Sequence, residues 1–215
     1  MALRIWIITI MAMGVATLAG CEAAGWLAQG FESTAPPVLV KAEYLGLENQ
    51  RVAVLVDAKL ETMYQHPLAQ LEVAQLLSER IAANVPGVSV LDAKQVVDFQ
   101  QRNIYWNTST YSELAKRLNV NRLVLVDLSE YRLHEPGNVH LWRGTIASSV
   151  GVAATDSDKP DDLAYQTVVN VSYPPDKPMG AIKADERTIR LGMLDLFARA
   201  VVGKFHDYEQ ARESK

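Results

Sequence analysis

The chain has 215 residues, 49% of them hydrophobic and 21% charged, with a formal net charge of −4 at pH 7. That length suits one domain with a proper core. A mildly acidic balance with no run of lysines or arginines excludes nucleic acid as a partner sought by bulk electrostatics, and the single cysteine excludes a disulfide framework or a Cys/His zinc site.

Met1 to Arg4 carries one positive charge, and Ile5 to Leu18 carries none. The uncharged run has the length of a secretory h-region and is short for a helix crossing about 30 Å of hydrocarbon. Leu18, Ala19, Gly20 and Cys21 close it. This tetrapeptide resembles the bacterial lipobox: a leucine, two small residues and an obligatory cysteine. The resemblance implies that the Cys21 thiol takes a diacylglyceryl group, that the peptide before it is removed, and that the new amino group is acylated, as with palmitate. Several acyl chains hold a protein to a bilayer where one binds only marginally. The alternative is an uncleaved N-terminal helix with an incidental cysteine. Glu22 follows the cysteine, in place of the aspartate that retains enteric lipoproteins at the inner membrane. The expected address is therefore the outer membrane, facing the periplasm.

Residues 21–50 read as anchor and flexible tether: Gly25, Gly30, Ser33, Thr34 and Pro36-Pro37 interrupt any pattern, and Trp26, Leu27 and Phe31 are isolated. The body begins at Arg51. Arg51–Asp57 is a nearly continuous β-branched run, as in a strand buried on both faces. A connection with Met63, Tyr64 and His66 follows, and Pro67 opens a helix whose core side is Ala69, Val73, Leu76, Leu77, Ile81 and Val85. A short strand over 88–91 precedes a helix capped by Asp92 with Gln95 and running to about Arg102. A polar loop, 103–109, leads to a second capping-box pair, Thr110 and Glu113. Tyr111, Leu114, Ala115 and Leu118 then make an amphipathic helix stopped by Asn119. Arg122–His134 and Val139–Ala154 form a long hairpin through Glu135-Pro136-Gly137-Asn138, with Pro-Gly suited to a type II turn. A charged loop over 156–162, a strand over 165–173 and a helix over 185–204 complete the body, the helix burying Leu191, Leu194, Phe197, Val201 and Phe205. Residues 206–215 are a polar tail. The expected fold is α/β (α+β): a mixed sheet of about five strands with helices packed on it, in the order β-α-β-α-α-β-β-β-α.

The strand RVAVLVD, the helix after it, the phrase YSELAKRLNV and the strand RLVLVDL opening a hairpin give residues 51–205 a resemblance to the periplasmic α/β domain of TolB N-termini, CsgG and LpoB-type lipoproteins. The resemblance implies binding or assembly work in the envelope, with no catalysis and no cofactor.

No phosphate loop, GxSxG elbow or HExxH helix is present. Gly144 and Gly151 fall in a strand pattern, where glycine marks a bulge or close packing. His134 and His140 flank the Pro-Gly turn, with Glu130 and Glu135 nearby. A three-residue loop would set the histidines opposite one another and support a metal-dependent hydrolase; the adopted reading is an exposed hairpin tip without a metal. Asp57 and Asp127 end apolar strands, where ligands gather in open α/β sheets, and turn or cap roles are the plainer expectation. Ser148-Ser149 lack a paired histidine. Tyr105 and Trp106, with Tyr111, suit a partner-binding surface or a plug under the loop. The functional expectation is a lipid-anchored envelope protein that binds a protein partner or its own copies. A CsgG-like pore subunit is an alternative, although the hairpin strands do not alternate cleanly enough for a barrel.

Overall fold

The computed structural model describes residues 37–177 and 179–210; the Leu18–Cys21 tetrapeptide, Trp26, Leu27 and Phe31 lie outside them. In chain order the elements are β1 (Val38–Val40), β2 (Arg51–Ala58), α1 (Leu60–Gln65), α2 (Ala69–Asn84), β3 (Ser89–Val90) and α3 (Ala93–Arg102). After a single 3-10 turn over Trp106–Thr108 come α4 (Tyr111–Leu118), β4 (Arg122–Glu135), β5 (Asn138–Ala154), β6 (Leu163–Tyr173), α5 (Glu186–Val202) and β7 (Tyr208–Gln210). The chain divides into two units, Val40–Tyr208 and a second of Met1–Leu39 with Glu209–Lys215. β1 and β7 pair as a two-stranded sheet of their own.

The larger unit is built on a mixed five-stranded sheet in the order β3-β2-β4-β5-β6. β2 runs parallel to both neighbours, with Asp57 opposite Asp127, and β4, β5 and β6 form an antiparallel meander. Val52, Val54 and Val56 of β2 join Val124, Val126, Ile146 and Val150 in one core cluster with residues of α2 and α5. Ala53 and Leu55 join Leu123 and Ala153 in a second cluster with Val96 of α3 and with Leu114, Ala115 and Leu118 of α4. Burial on both faces is why β2 reads as an unbroken apolar run rather than an alternating one. The carbonyl of Val56 accepts from Gln70 Nε2 (2.8 Å) and Gln100 Nε2 (3.0 Å), which ties α2 and α3 to the end of that strand. α4 covers only part of the second face. Beyond it Asp127 and Ser129 are exposed, and Val168 on the edge strand β6 is 67% exposed.

The hairpin register shifts between Leu128 and Glu130. Ser129 is the extra residue, and its hydroxyl donates to the Ala147 carbonyl at 3.0 Å. A bulge of one residue reverses the side-chain alternation, so Tyr131 and Leu133 lie in the same core cluster as Leu128. At the hairpin tip Glu135 pairs with Asn138 around Pro136-Gly137, and Gly137 has the positive φ (78°) that the turn requires.

Five sequence expectations are revised. The connection with Met63 and Tyr64 contains the helix α1, and Pro67 lies ahead of α2 rather than inside it. Leu191 is 52% exposed, while Ile189, Met193 and Ala198 are buried. It lies two residues from both Ile189 and Met193, about 160° around the helix from each, so on its own turn it faces away from the core although it is in line with Ala198. Residues 40–50, read as tether, include the fully buried Leu47. Residues 208–210, read as polar tail, are β7.

Candidate functional site

α3 starts on Asp92, whose carboxylate accepts from the Gln95 amide at 3.1 Å, and ends on Asn103. Asn103 Nδ2 donates to the Phe99 carbonyl (2.7 Å), and its Oδ1 accepts from Arg117 (2.7 Å). The Arg117 guanidinium also lies 5.2 Å from the centre of the Phe99 ring. The 3-10 turn is closed by Thr108 Oγ1 donating to the Tyr105 carbonyl at 2.8 Å. Thr110 and Glu113 form the reciprocal capping box that opens α4, and Asn119 stops that helix in the left-handed conformation (φ 55°, ψ 49°). The Ser112 amide donates to Asp161 at 2.8 Å, and this bond holds the Asp161 carboxyl below its usual range.

This framework splits the aromatic set. Trp106 and Tyr111 are half-buried against the second core cluster, whereas Tyr105 is 74% exposed. Between the 106–111 stretch and the sheet lies a groove of about 290 Å³, lined by Trp106, Tyr111, Asp57, Asp127, Ser149 and Gln166, with Leu163 and Leu55 completing its apolar part. Ser149 Oγ accepts from Gln166 Nε2 at 3.4 Å. Asp57 and Asp127 stand on adjacent parallel strands, which lie about 4.8 Å apart, and neither carboxylate has a hydrogen-bond or ion-pair partner among the described residues. Two unneutralised carboxylates beside two aromatic rings can hold a cation by charge and by the ring quadrupoles. No histidine lines the groove among the described residues.

The two hairpin histidines are not brought together. The two-residue turn and a register shift set His134 opposite Trp142, with ring centres 4.0 Å apart. His140 is exposed, and its backbone N–H donates to Asn138 Oδ1 at 3.0 Å. Arg132 binds Glu130 and reaches Glu135, which Arg143 also binds at 2.9 Å, so both carboxylates already face cations. Among the described residues no three His, Cys, Asp or Glu side chains converge on a metal position. Ser148 is buried, its hydroxyl 3.5 Å from the Val169 carbonyl.

Sequence reasoning singled out Trp106 and Tyr111 as part of one aromatic set and Asp57 with Asp127 as strand-end carboxylates, and did not join the two sets. Gln166 and Leu163 escaped it altogether, because only the pairing of β6 with β5 carries them to the groove. The Asp57–Asp127 pairing had a signal: both residues close apolar runs of the same pattern, although each lies inside its strand, β4 continuing to Glu135.

No family model matches the chain, and no curated protein matches it at a significant level. Solved structures do. The PelC dodecamer of Paraburkholderia phytofirmans aligns over 80% of this chain and 99% of that one, with a TM-score of 0.48 and 8% identity. Lipoprotein GNA1162 of Neisseria meningitidis aligns over 72% and 96%, with a TM-score of 0.44 and 14% identity. The protein CT253 of Chlamydia trachomatis aligns over 72% and 96%, with a TM-score of 0.42 and 16% identity.

Proposed function

We propose that the chain is a non-catalytic lipoprotein of the bacterial envelope, anchored through Cys21 at the outer membrane, whose α/β body binds a basic segment of a protein partner in the periplasm. The carrying observation is the tetrapeptide Leu18-Ala19-Gly20-Cys21 at the end of an uncharged run. An anchor confines the body to a surface and raises its effective concentration for a partner there, which is the kind of work done by the TolB, CsgG and LpoB-type domains that the sequence resembles. The groove supports the binding half of the reading: Asp57 and Asp127 supply charge, and Trp106 and Tyr111 supply faces.

Cys21→Ser tests the anchor. The native chain is expected in the membrane fraction with an acylated Cys21 as its first residue, and the variant as an unprocessed precursor. An intact Met1 and an unmodified thiol in the native protein would overturn the reading. A second copy is the alternative partner, favoured by β6, an eleven-residue strand with no strand partner on its outer side among the described residues. A defined oligomer of the detergent-solubilised chain that Val168→Lys dissociates would support that alternative.

A further inference from the structure

Gln100 pins α3 to the end of β2, its Nε2 donating to the Val56 carbonyl at 3.0 Å. The residues that follow, Gln101 to Tyr105, therefore leave the body near the end of β2, where Asp57 stands. From Gln100 to Ser112 the sequence holds one charge, Arg102, and no carboxylate. Arg102 is exposed and has no hydrogen-bond or ion-pair partner among the described residues. Ile104 is 71% exposed and Tyr105 74%. Arginine and tyrosine are among the few residue types that carry most of the energy of an interface. Of the carboxylates on α3 and α4 and at their caps, only the half-buried Asp98 is not engaged in a cap.

This corner does not fill its own groove. The Trp106 amide donates to the Asn103 carbonyl at 2.8 Å, and the Asn103 side chain is held by Arg117 and by the Phe99 carbonyl. The turn so fixed puts Trp106 in the groove lining and Tyr105 in solvent. Two carboxylates are left without a cation, and beside them a cation is left without a carboxylate.

The two sets are consecutive in the chain, 101–105 and 106–111, so they share one corner of the body. A two-fold axis beside that corner lets each copy place its 101–105 segment in the other's groove. Both contacts then form at once, and the assembly closes at two copies. We infer that the groove binds a second copy of this chain, Arg102 of each copy meeting Asp57 and Asp127 of the other, with Ile104 and Tyr105 against the Trp106 ring and Leu163. The guanidinium fork matches carboxylate oxygens, and its flat face packs on an aromatic ring. The inference rests on the groove reading above and names the basic segment as this chain's own; it makes no use of the β6 edge.

The test uses the full chain in excess detergent, with the thermal midpoint of every variant as a check on its fold. The parent is expected as a dimer by native mass. Arg102→Asp and Asp127→Arg set like charges at both contacts, and each is expected to weaken self-association about a hundred-fold. In a mixed dimer of these two variants one contact is the native pair and the other the reversed pair. An equimolar mixture is therefore expected to associate within about ten-fold of the parent. Tyr105→Ala, at a side chain in open solvent, is expected to keep the thermal midpoint and to weaken the dimer about ten-fold, and Val168→Lys is expected to leave it intact. A monomeric parent, an oligomer larger than a dimer, an unchanged dimer in Tyr105→Ala, a dimer lost in Val168→Lys, or folded charge variants whose mixture stays monomeric overturns the inference. A synthetic peptide with the sequence of residues 101–105 separates it from the groove reading. Peptide binding that Asp127→Arg abolishes, in a chain that stays monomeric, removes the second copy and leaves the groove reading standing; neither peptide binding nor a dimer removes both.

Discussion

Asp57 on β2 and Asp127 on β4 are register partners on adjacent parallel strands, and no cation neutralises either one among the described residues. Like charges set opposite each other across a sheet oppose folding. Asp127→Asn is therefore expected to raise stability by about 0.2–1 kcal/mol, read by denaturant unfolding, with the gain shrinking as salt screens the pair. The same change is expected to weaken capture of a basic peptide in the groove. A variant that is less stable than the parent at low salt would remove the repulsion argument and, with it, the reason for a cation there.

The loop that walls the groove depends on one cap. Thr110 Oγ1 accepts from the Glu113 amide at 3.3 Å, and Glu113 Oε2 accepts from the Thr110 amide at 3.4 Å. Thr110→Ala removes the first bond and is expected to cost about 0.5–2 kcal/mol, with Thr110→Ser restoring most of it. Trp106 lies four residues before the cap, so its fluorescence should report a looser wall in Thr110→Ala. Unchanged emission together with unchanged stability would mean that Asp161, bound to the Ser112 amide, holds the helix start alone.

These two sites mark how far the chain is legible without coordinates. The strands β2 and β4 stand out because both of their faces are buried, which leaves a dense β-branched signal. The helix starts at Asp92 and Thr110 and the stop at Asn119 are local chemistry and are equally readable. α1 is not: its Leu60 and Tyr64 point outward, so no apolar periodicity announces six helical residues. The bulge at Ser129 is invisible in a sequence that fits either register, and the burial of Tyr131 and Leu133 beside Leu128 depends on it. Leu191 is in line with Ala198 but about 160° around the helix from Ile189 and Met193, and its spacing to Leu194 and Ala198 hides that it faces outward on its own turn. The groove required the strand order, since Asp57, Asp127, Ser149 and Gln166 come from four different strands.

His66 gives the fold a pH dependence of known sign. Burial is the main cause that lowers its pKa from the ordinary 6.5; Arg190 and His134 lower it further, and Glu186 and Glu72 oppose the shift. The unfolded chain thus takes up a proton at a pH where the folded chain does not, and stability rises with pH in that window. The contribution is complete above about 6.5 and is lost as pH falls toward the folded value. His66→Gln is expected to flatten the slope of unfolding free energy between pH 7 and pH 5. A parent protein that gains stability over that fall, with the gain absent in the variant, would reverse the assignment.

α5 lies close on the sheet because two glycines face it and are faced by it. A Cβ on Gly144 of β5 would stand 2.8 Å from Met193 Cβ and 3.1 Å from Ile189 Cγ2, and one on Gly192 of α5 would stand 2.5 Å from the Tyr173 ring. The two contacts differ in what can yield. Met193 Cβ is fixed to the helix backbone, so Gly144→Ala must push α5 away from β5, and overpacking of that kind costs about 1–3 kcal/mol. Tyr173 is half-buried on the edge strand, and its ring can turn aside. Alanine also suits a helix interior better than glycine by about 0.5–1 kcal/mol, which offsets part of the strain at Gly192. Gly144→Ala is therefore expected to destabilise clearly more than Gly192→Ala in urea unfolding of the same full chain. The reverse order would mean that the Tyr173 ring, rather than the backbone of β5, sets the distance between helix and sheet.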